Sequence, residues 1–309
     1  MNKGLNNMED IFIKRSSIYD CIREGCNVTN DKGILFNIDI EEASFVNLQA
    51  AFVEYIHKSL MAYYGKKGFL YDWRFKKNDF SFLTVYENEI FNLPNITPGG
   101  VLKIKKEIIH EYNALQSVVT DILIETNLIN SLTHGQNIVP RLVPGSTSIK
   151  KRFRPLSTEK YHSDVWASQK GDAVLSIPVA GDPSTTIEFC KPIGVSADFF
   201  NSLENYDDAF ERGYLENLEF LDFAKFKMIH IFDQLCVHRT LKQAGNPRIS
   251  LELCIAADHE DSLFLKDKEL SRAMQRNRYF DKSKLKELGK GIKITTGERM
   301  KDAEKYEQT

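Results

Sequence analysis

The chain has no uncharged apolar run approaching the roughly 18–20 residues that span a bilayer, so no membrane segment is expected. Cysteine is scarce. Cys21, Cys26, Cys190, Cys236 and Cys254 are an odd, scattered set without a CxxC pair. That argues against a disulfide framework or a thiolate zinc site and for buried reduced thiols, three of them in strand-like apolar runs. The first ten residues contain no apolar h-region, which predicts no signal peptide and a soluble cytoplasmic protein. Neither charge dominates: Lys+Arg total 41 against Asp+Glu 43, net -2, so no global basic field recruits nucleic acid. Internal repeats and low-complexity tracts are absent too. What remains is an ordinary globular balance, 42% apolar and 27% charged, in 309 residues, enough for one or two domains.

The charge is unevenly placed. Residues 263–309 carry 13 Lys/Arg and 8 Asp/Glu, net +5, leaving the body at net -7. Interspersed charges of this kind read as a solvated helical face.

Residues 1–135 read mainly as helix. Asp39 is a candidate N-cap, after which Phe45, Leu48, Phe52, Ile56 and Leu60 repeat at helical spacing up to Gly65. Ile104, Ile108, Tyr112, Leu115, Val119 and Ile122 line a second helix that runs towards Gly135. From there short β-type runs take over: 136–143, 157–161, 173–179, 185–189, 226–232 and 248–256. Turn chemistry separates them at Pro144-Gly145, Lys170-Gly171-Asp172, Gly181-Asp182-Pro183 and Gly245-Asn246-Pro247. Strands without intervening long helices predict an antiparallel sandwich or barrel. Residues 202–223 look like a helical or loop insertion, and helices are expected again over 268–280 and 282–289. The organisation is a helical support (1–135), an all-β core (136–258) and a basic helical segment (259–309) that could act as a lid or a homodimer contact.

Seven histidines are present, so chance pairings must be discounted. His57, His110 and His134 read as helix positions. HxD occurs twice, at His162-Ser163-Asp164 and His259-Glu260-Asp261. The first closes a strand, where residues i and i+2 share a face and both can meet one ion. His238 follows it, and Arg248-Ile249-Ser250 begins ten residues later on an apolar strand. His259 has no histidine after it. Two imidazoles and a carboxylate on one side of a metal leave the opposite positions open, as in non-haem Fe(II) oxygenases. Arg248 in an apolar strand is expensive to bury without an anion. A dicarboxylate gripping the metal at one end would supply it, with Ser250 adding a hydroxyl donor.

This succession of HxD, distal His and RxS resembles the Fe(II)/2-oxoglutarate-dependent oxygenase superfamily. The Asp233 turn into His238-Arg239 is similar to its phytanoyl-CoA hydroxylase branch. The resemblance implies a double-stranded β-helix (jelly-roll) core with flanking helices. It implies iron on His162, Asp164 and His238, and 2-oxoglutarate held by Arg248 with Ser250 and Thr240. Consumption of O2 and release of succinate and carbon dioxide would then accompany hydroxylation of an unactivated C–H bond, with no separate acid or base. More widely, Val139-Pro140-Arg141 and the stretch from Leu285 to Gly291 resemble oxygenases of carbohydrate and aminoglycoside gene clusters, the streptomycin-biosynthesis type among them.

A small polar, carbohydrate-related substrate is the expectation. Arg152 and Arg154, in the basic run Lys150 to Arg154, could meet an anionic sugar or simply form an exposed edge. Trp166 could stack on a sugar or cover the core. His230, alternating with Phe226, Met228 and Phe232, reads as a packed histidine. Two rivals stay open: a non-catalytic metal- or sugar-binding jelly roll, and a metal cupin isomerase or hydrolase, for which the Arg248 clamp has no obvious use.

Overall fold

The computed structural model describes residues 8–65, 79–97, 99–145, 158–167, 171–243, 245–262 and 279–281. The chain opens with α1 (Met8–Ser17) and α2 (Asp20–Gly25), then a hairpin, β1 (Val28–Asp31) and β2 (Leu35–Asp39). Helix α3 (Glu42–Tyr64), the short α4 (Phe82–Val85) and α5 (Glu87–Phe91), and α6 (Ile109–Glu125) follow. Next come β3 (Leu132–Gln136), β4 (Val139–Val143), β5 (His162–Ser163), α7 (Asp164–Ala167), β6 (Ala173–Gly181) and β7 (Thr186–Pro192). The last elements are α8 (Asp207–Glu211), β8 (Leu218–Phe223), β9 (Met228–Asp233), β10 (Val237–Leu241), β11 (Arg248–Ala257) and β12 (Tyr279–Asp281). Among the described residues no helix is long and apolar enough to cross a membrane.

The fold is mainly β with flanking helices: two antiparallel sheets curl against each other as a jelly-roll core. The larger runs β1-β2-β9-β6-β11-β3-β12, with β4 also paired to β11, and the smaller runs β5-β10-β7-β8. Alternation along β11 explains why this sheet has two different faces. Ile249, Leu251, Leu253 and Ile255 are buried in one cluster with Phe45, Leu48 and Phe52 of α3 and Leu115, Val119 and Ile122 of α6. Arg248, Ser250, Glu252 and Cys254 necessarily turn the other way, towards the smaller sheet. There Phe189 of β7 packs on Phe232 and His230 of β9, with ring centroids 5.0 and 5.8 Å apart.

Several boundaries differ from the sequence expectation. Asp39 ends β2, and α3 starts after Glu41, which makes no side-chain cap. The second long helix stops at Glu125. Asn127 then takes a left-handed φ of 59°, and 132–136 pairs with β11 as β3. Hairpin β1–β2, inside the region read as helical, turns at Gly33 (φ 77°), whose amide donates to Asp31 Oδ1 at 2.8 Å. The insertion at 202–223 contributes α8 and the edge strand β8. Tyr279 and Phe280, expected in a helix, lie in β12. Helical spacing of a few apolar residues cannot compete with the free edge of β3, where the backbone pairs. The rest of those two C-terminal helices lies outside the described residues.

The N-terminal helix is tied to the β core by a buried ion pair. Arg15 Nε donates to both carboxylate oxygens of Asp233 (2.9 and 2.7 Å), and Arg15 Nη2 to the Asp172 carbonyl (2.9 Å). Tyr19 adds its hydroxyl to Asp233 Oδ2 at 2.5 Å. Arg15→Ala strands a fully buried carboxylate, so a loss of about 3–5 kcal/mol is expected. Urea unfolding checks this; a loss near that of a surface substitution would show that the pair is dispensable.

Candidate metal centre

His162 and His238 face each other on neighbouring strands, in direct register as β5 pairs with β10. Their ring centroids are 4.2 Å apart. Both rings are oriented from behind: His162 Nδ1 lies 2.9 Å from the Lys160 carbonyl, and His238 Nδ1 lies 3.1 Å from the Cys236 carbonyl. Carbonyls only accept, so each Nδ1 carries the proton and each Nε2 is left with a lone pair for a cation. Burial first, then His238 and Arg141, hold His162 well below the usual histidine pKa, so it is neutral and metal-competent.

Asp164 completes the set, but not by strand alternation. β5 is only His162–Ser163, and Asp164 opens the helical turn α7. A rivet in the smaller sheet creates this geometry. The Gln234 carbonyl, on the turn before His238, accepts from Ser163 Oγ at 2.6 Å and from the Val165 amide at 3.3 Å. The ligand atoms of His162, Asp164 and His238 all lie within 4.8 Å of one another. His259 does not join them; its Nδ1 accepts from the Asp261 amide at 3.0 Å and closes its own turn.

Arg248 lies on the interior face of β11. It is 1% exposed, and among the described residues Nε, Nη1 and Nη2 all lack a hydrogen-bond partner. Ser250 Oγ beside it and Ser176 Oγ on β6 are in the same condition. Burial, only partly offset by Glu252, lowers the Arg248 pKa to about 10, so it is still a cation. Native interiors rarely leave the nitrogens of a buried charged group unpaired, and an anion bound there would supply the missing acceptors. A cavity of about 400 Å³ reaches Arg248 between Pro178, Thr186, Phe223 and Leu241. A second, of about 500 Å³, lies against Phe45 and Gln49 of α3 and touches none of these groups. Thr240, two residues past His238 on β10, is buried, and its amide donates to the Thr158 carbonyl at 2.7 Å.

Of the tentative substrate residues, Arg152 and Arg154 lie outside the described residues. Trp166 covers the core. It is 0% exposed, its Nε1 donates to the Phe199 carbonyl at 2.8 Å, and its ring stacks on Tyr214, so no face remains for a sugar.

His230 is a packed histidine. Its Nδ1 donates to Asn37 Oδ1 (2.9 Å), which leaves Nε2 to accept the Lys225 amide (2.9 Å). Burial depresses its pKa from 6.5 to about 4. The unfolded chain therefore binds the extra proton between these values. Stability from this group is complete above pH 6.5 and is lost as pH falls towards 4, by about 3 kcal/mol in all. Urea midpoints at pH 7, 5.5 and 4.5 should drop less in His230→Gln than in the parent; equal slopes would refute the assignment.

Sequence reasoning overlooked Arg141 and Glu252 as site residues. Arg141 Nη2 meets Glu252 Oε2 at 2.7 Å on the interior wall. The alternation of Val139, Arg141 and Val143 held the signal, because Arg141 falls opposite Ser250.

No protein-family model matches the chain, and no curated protein sequence does. Among solved structures it is similar to the "non-heme alpha ketoglutarate dependent carbocyclase SnoK from nogalamycin biosynthesis", at 11% identity and a TM-score of 0.41, covering 87% of this chain and 93% of that one. It is also similar to the corresponding epimerase SnoN, at 10% identity and 0.36, covering 79% and 82%. A third is AviO1 from Streptomyces viridochromogenes Tue57, at 12% identity and 0.33, covering 80% and 96%. Likeness this distant transfers no activity, so the functional reading rests on the side chains above.

Proposed function

We propose that this chain is an Fe(II)- and 2-oxoglutarate-dependent oxygenase. The observation that carries the reading is the pairing of the His162–Asp164–His238 cluster with the buried, unpartnered guanidinium of Arg248. Two imidazoles and one carboxylate suit ferrous iron and leave room for a bidentate ligand. Arg248 and Ser250 supply the donors for that ligand's far carboxylate, and Thr240 shares the His238 side of β10. When bound, iron supplies the redox chemistry that couples oxidative decarboxylation of the oxo acid to oxidation of a C–H bond. In balance, 2-oxoglutarate, O2 and substrate give succinate, carbon dioxide and a product carrying one added oxygen. The protein's own part is to orient the two rings through the Lys160 and Cys236 carbonyls, clamp the anion and hold one C–H bond in place.

The substrate reading is a small polar metabolite related to carbohydrate, oxidised by hydroxylation. It is supported by the resemblance of the Val139-Pro140-Arg141 and Leu285 to Gly291 stretches to carbohydrate-cluster oxygenases.

Anaerobic titration with Fe(II) and then 2-oxoglutarate tests the cofactor reading. A visible iron-to-keto charge-transfer band that needs both additions is expected. Metal binding without a band would leave the metal cupin or the binding module as the function.

A further inference from the structure

The interior wall of the larger sheet is ordered in layers by strand register. Arg248 is deepest. Next come Ser250 and, directly opposite it on β4, Arg141. Glu252 and Ser176, paired across β11 and β6, form the following layer. Beyond them Val174 pairs with Cys254 on β11 and with Phe232 on β9, and the His238 ring lies 4.9 Å from the ring of Phe232. Arg141 therefore stands between the anion clamp and the metal cluster. Its tie to Glu252 directs the guanidinium towards the metal end.

Three properties give this arginine a ligand. Glu252 engages Nη2, while Nε is buried and, among the described residues, has no hydrogen-bond partner. The side chains of Arg141 and Glu252 are 22% and 18% exposed, whereas Ser250 and Ser176 are fully buried, so the pair is the part of this wall that a ligand meets from solvent. Burial opposes the charge of Arg141, but Glu252 and then Asp164 sustain it, placing the cation within electrostatic reach of the metal cluster. A dicarboxylate stretched from Arg248 to the metal must pass this layer. Without Arg141 it would meet the bare carboxylate of Glu252.

Building on the oxygenase reading, we propose that Arg141 is a second anion contact for the bound oxo acid. Its guanidinium, anchored by Glu252, meets the carboxylate–keto end beside the metal cluster, while Arg248 holds the far carboxylate. Two arginines thus read the two ends of one ligand, and pyruvate, which carries only the oxo-acid end, separates them.

The probes are 2-oxoglutarate and pyruvate (oxo-acid end only), titrated calorimetrically into Co(II)-loaded protein. Arg141→Gln is expected to weaken 2-oxoglutarate and pyruvate alike, by roughly 10- to 100-fold. Arg248→Gln should weaken 2-oxoglutarate and spare pyruvate. Arg141→Gln leaves Glu252 without its partner, so the double variant Arg141→Gln/Glu252→Gln, with no stranded charge, carries the same expectation if the single variant folds poorly. Unchanged Co(II) affinity certifies an intact metal cluster. Pyruvate affinity equal to the parent's in both Arg141 variants overturns the proposal. Co(II)-loaded parent protein that binds neither 2-oxoglutarate nor pyruvate instead sinks the oxygenase reading itself, a separate result.

Discussion

Arg248→Met is expected to make the ligand-free protein more stable and to cripple its 2-oxoglutarate binding. Both effects come from one feature, a buried arginine, 1% exposed, with none of its three guanidinium nitrogens hydrogen-bonded among the described residues. The folded chain bears the desolvation of that charge without the hydrogen bonds that normally offset it. Glu252 eases it and Arg141 aggravates it, and the net outcome is a pKa depressed to about 10. Methionine is apolar, of comparable length and flexible enough to fill the space, so a gain of about 1–4 kcal/mol in unfolding free energy is reasonable by analogy with other buried-charge replacements. The same change removes every charged donor from the far carboxylate of the oxo acid. At roughly 1.5–3 kcal/mol for each charge-assisted hydrogen bond, affinity should fall on the order of 100-fold or more. Urea midpoints of the apo-protein and titration of the Fe(II) form measure the two effects. A variant that is less stable than the parent would mean the guanidinium is satisfied within the fold, and the anion it is argued to await would lose its support.

His238→Ala should abolish tight Fe(II) binding. The remaining His162 and Asp164 offer only two ligand atoms, and the ring that is lost is one whose tautomer the Cys236 carbonyl sets for coordination. Loss of an outer partner of a metal ligand already costs about 10- to 100-fold in affinity, so loss of the ligand itself should exceed that. His259→Ala, in the other HxD match, is the control and should leave binding unchanged. Fe(II) titration under anaerobic conditions reads both. If His238→Ala binds as tightly as the parent, the cluster is not where the metal sits. Together with Arg248→Met this separates the two halves of the site: one variant keeps metal and loses the oxo acid, the other loses metal first.

The two tests differ in what they ask of the fold. Arg248 stands on the central strand of the larger sheet, where its backbone is paired on both sides to β4 and β6, so replacing its side chain leaves the ladder intact. His238 packs between Phe189 and Phe232 and opposite His162, so its removal also opens space in the core. A modest stability loss is therefore expected for His238→Ala, and apo-protein unfolding should be recorded beside the metal titration.

How far the site was legible in the chain depends on how local each decision was. Residue type and order alone singled out His162, Asp164, His238, Arg248 and Ser250, since few side chains can serve a metal or an anion and only one HxD is followed by a histidine. Strand alternation was equally local: Ile249 and Leu251 had to face the helices, which left Arg248 and Ser250 on the interior wall. Helical spacing likewise identified α3 and α6, though not their ends, because Asp39 was claimed by β2 and Asn127 turned the chain into β3.

Other features were set by partners far away in sequence. Asp164 meets the histidines from a helical turn, not a strand pleat, because Ser163 and Val165 bond to the Gln234 carbonyl some 70 residues on. Trp166 is drawn into the core by Phe199 and Tyr214, and the β1–β2 hairpin exists because β9 offers it an edge. Arg141 becomes a site residue only when β4 lies beside β11 and sets it against Ser250 and Glu252. The sequence by itself determined which side chains are available to a metal and an anion and which face of β11 bears Arg248 and Ser250. Tertiary structure decided where those groups meet, because register, the direction of a turn and the neighbours of a buried side chain depend on contacts between distant segments that no local pattern encodes.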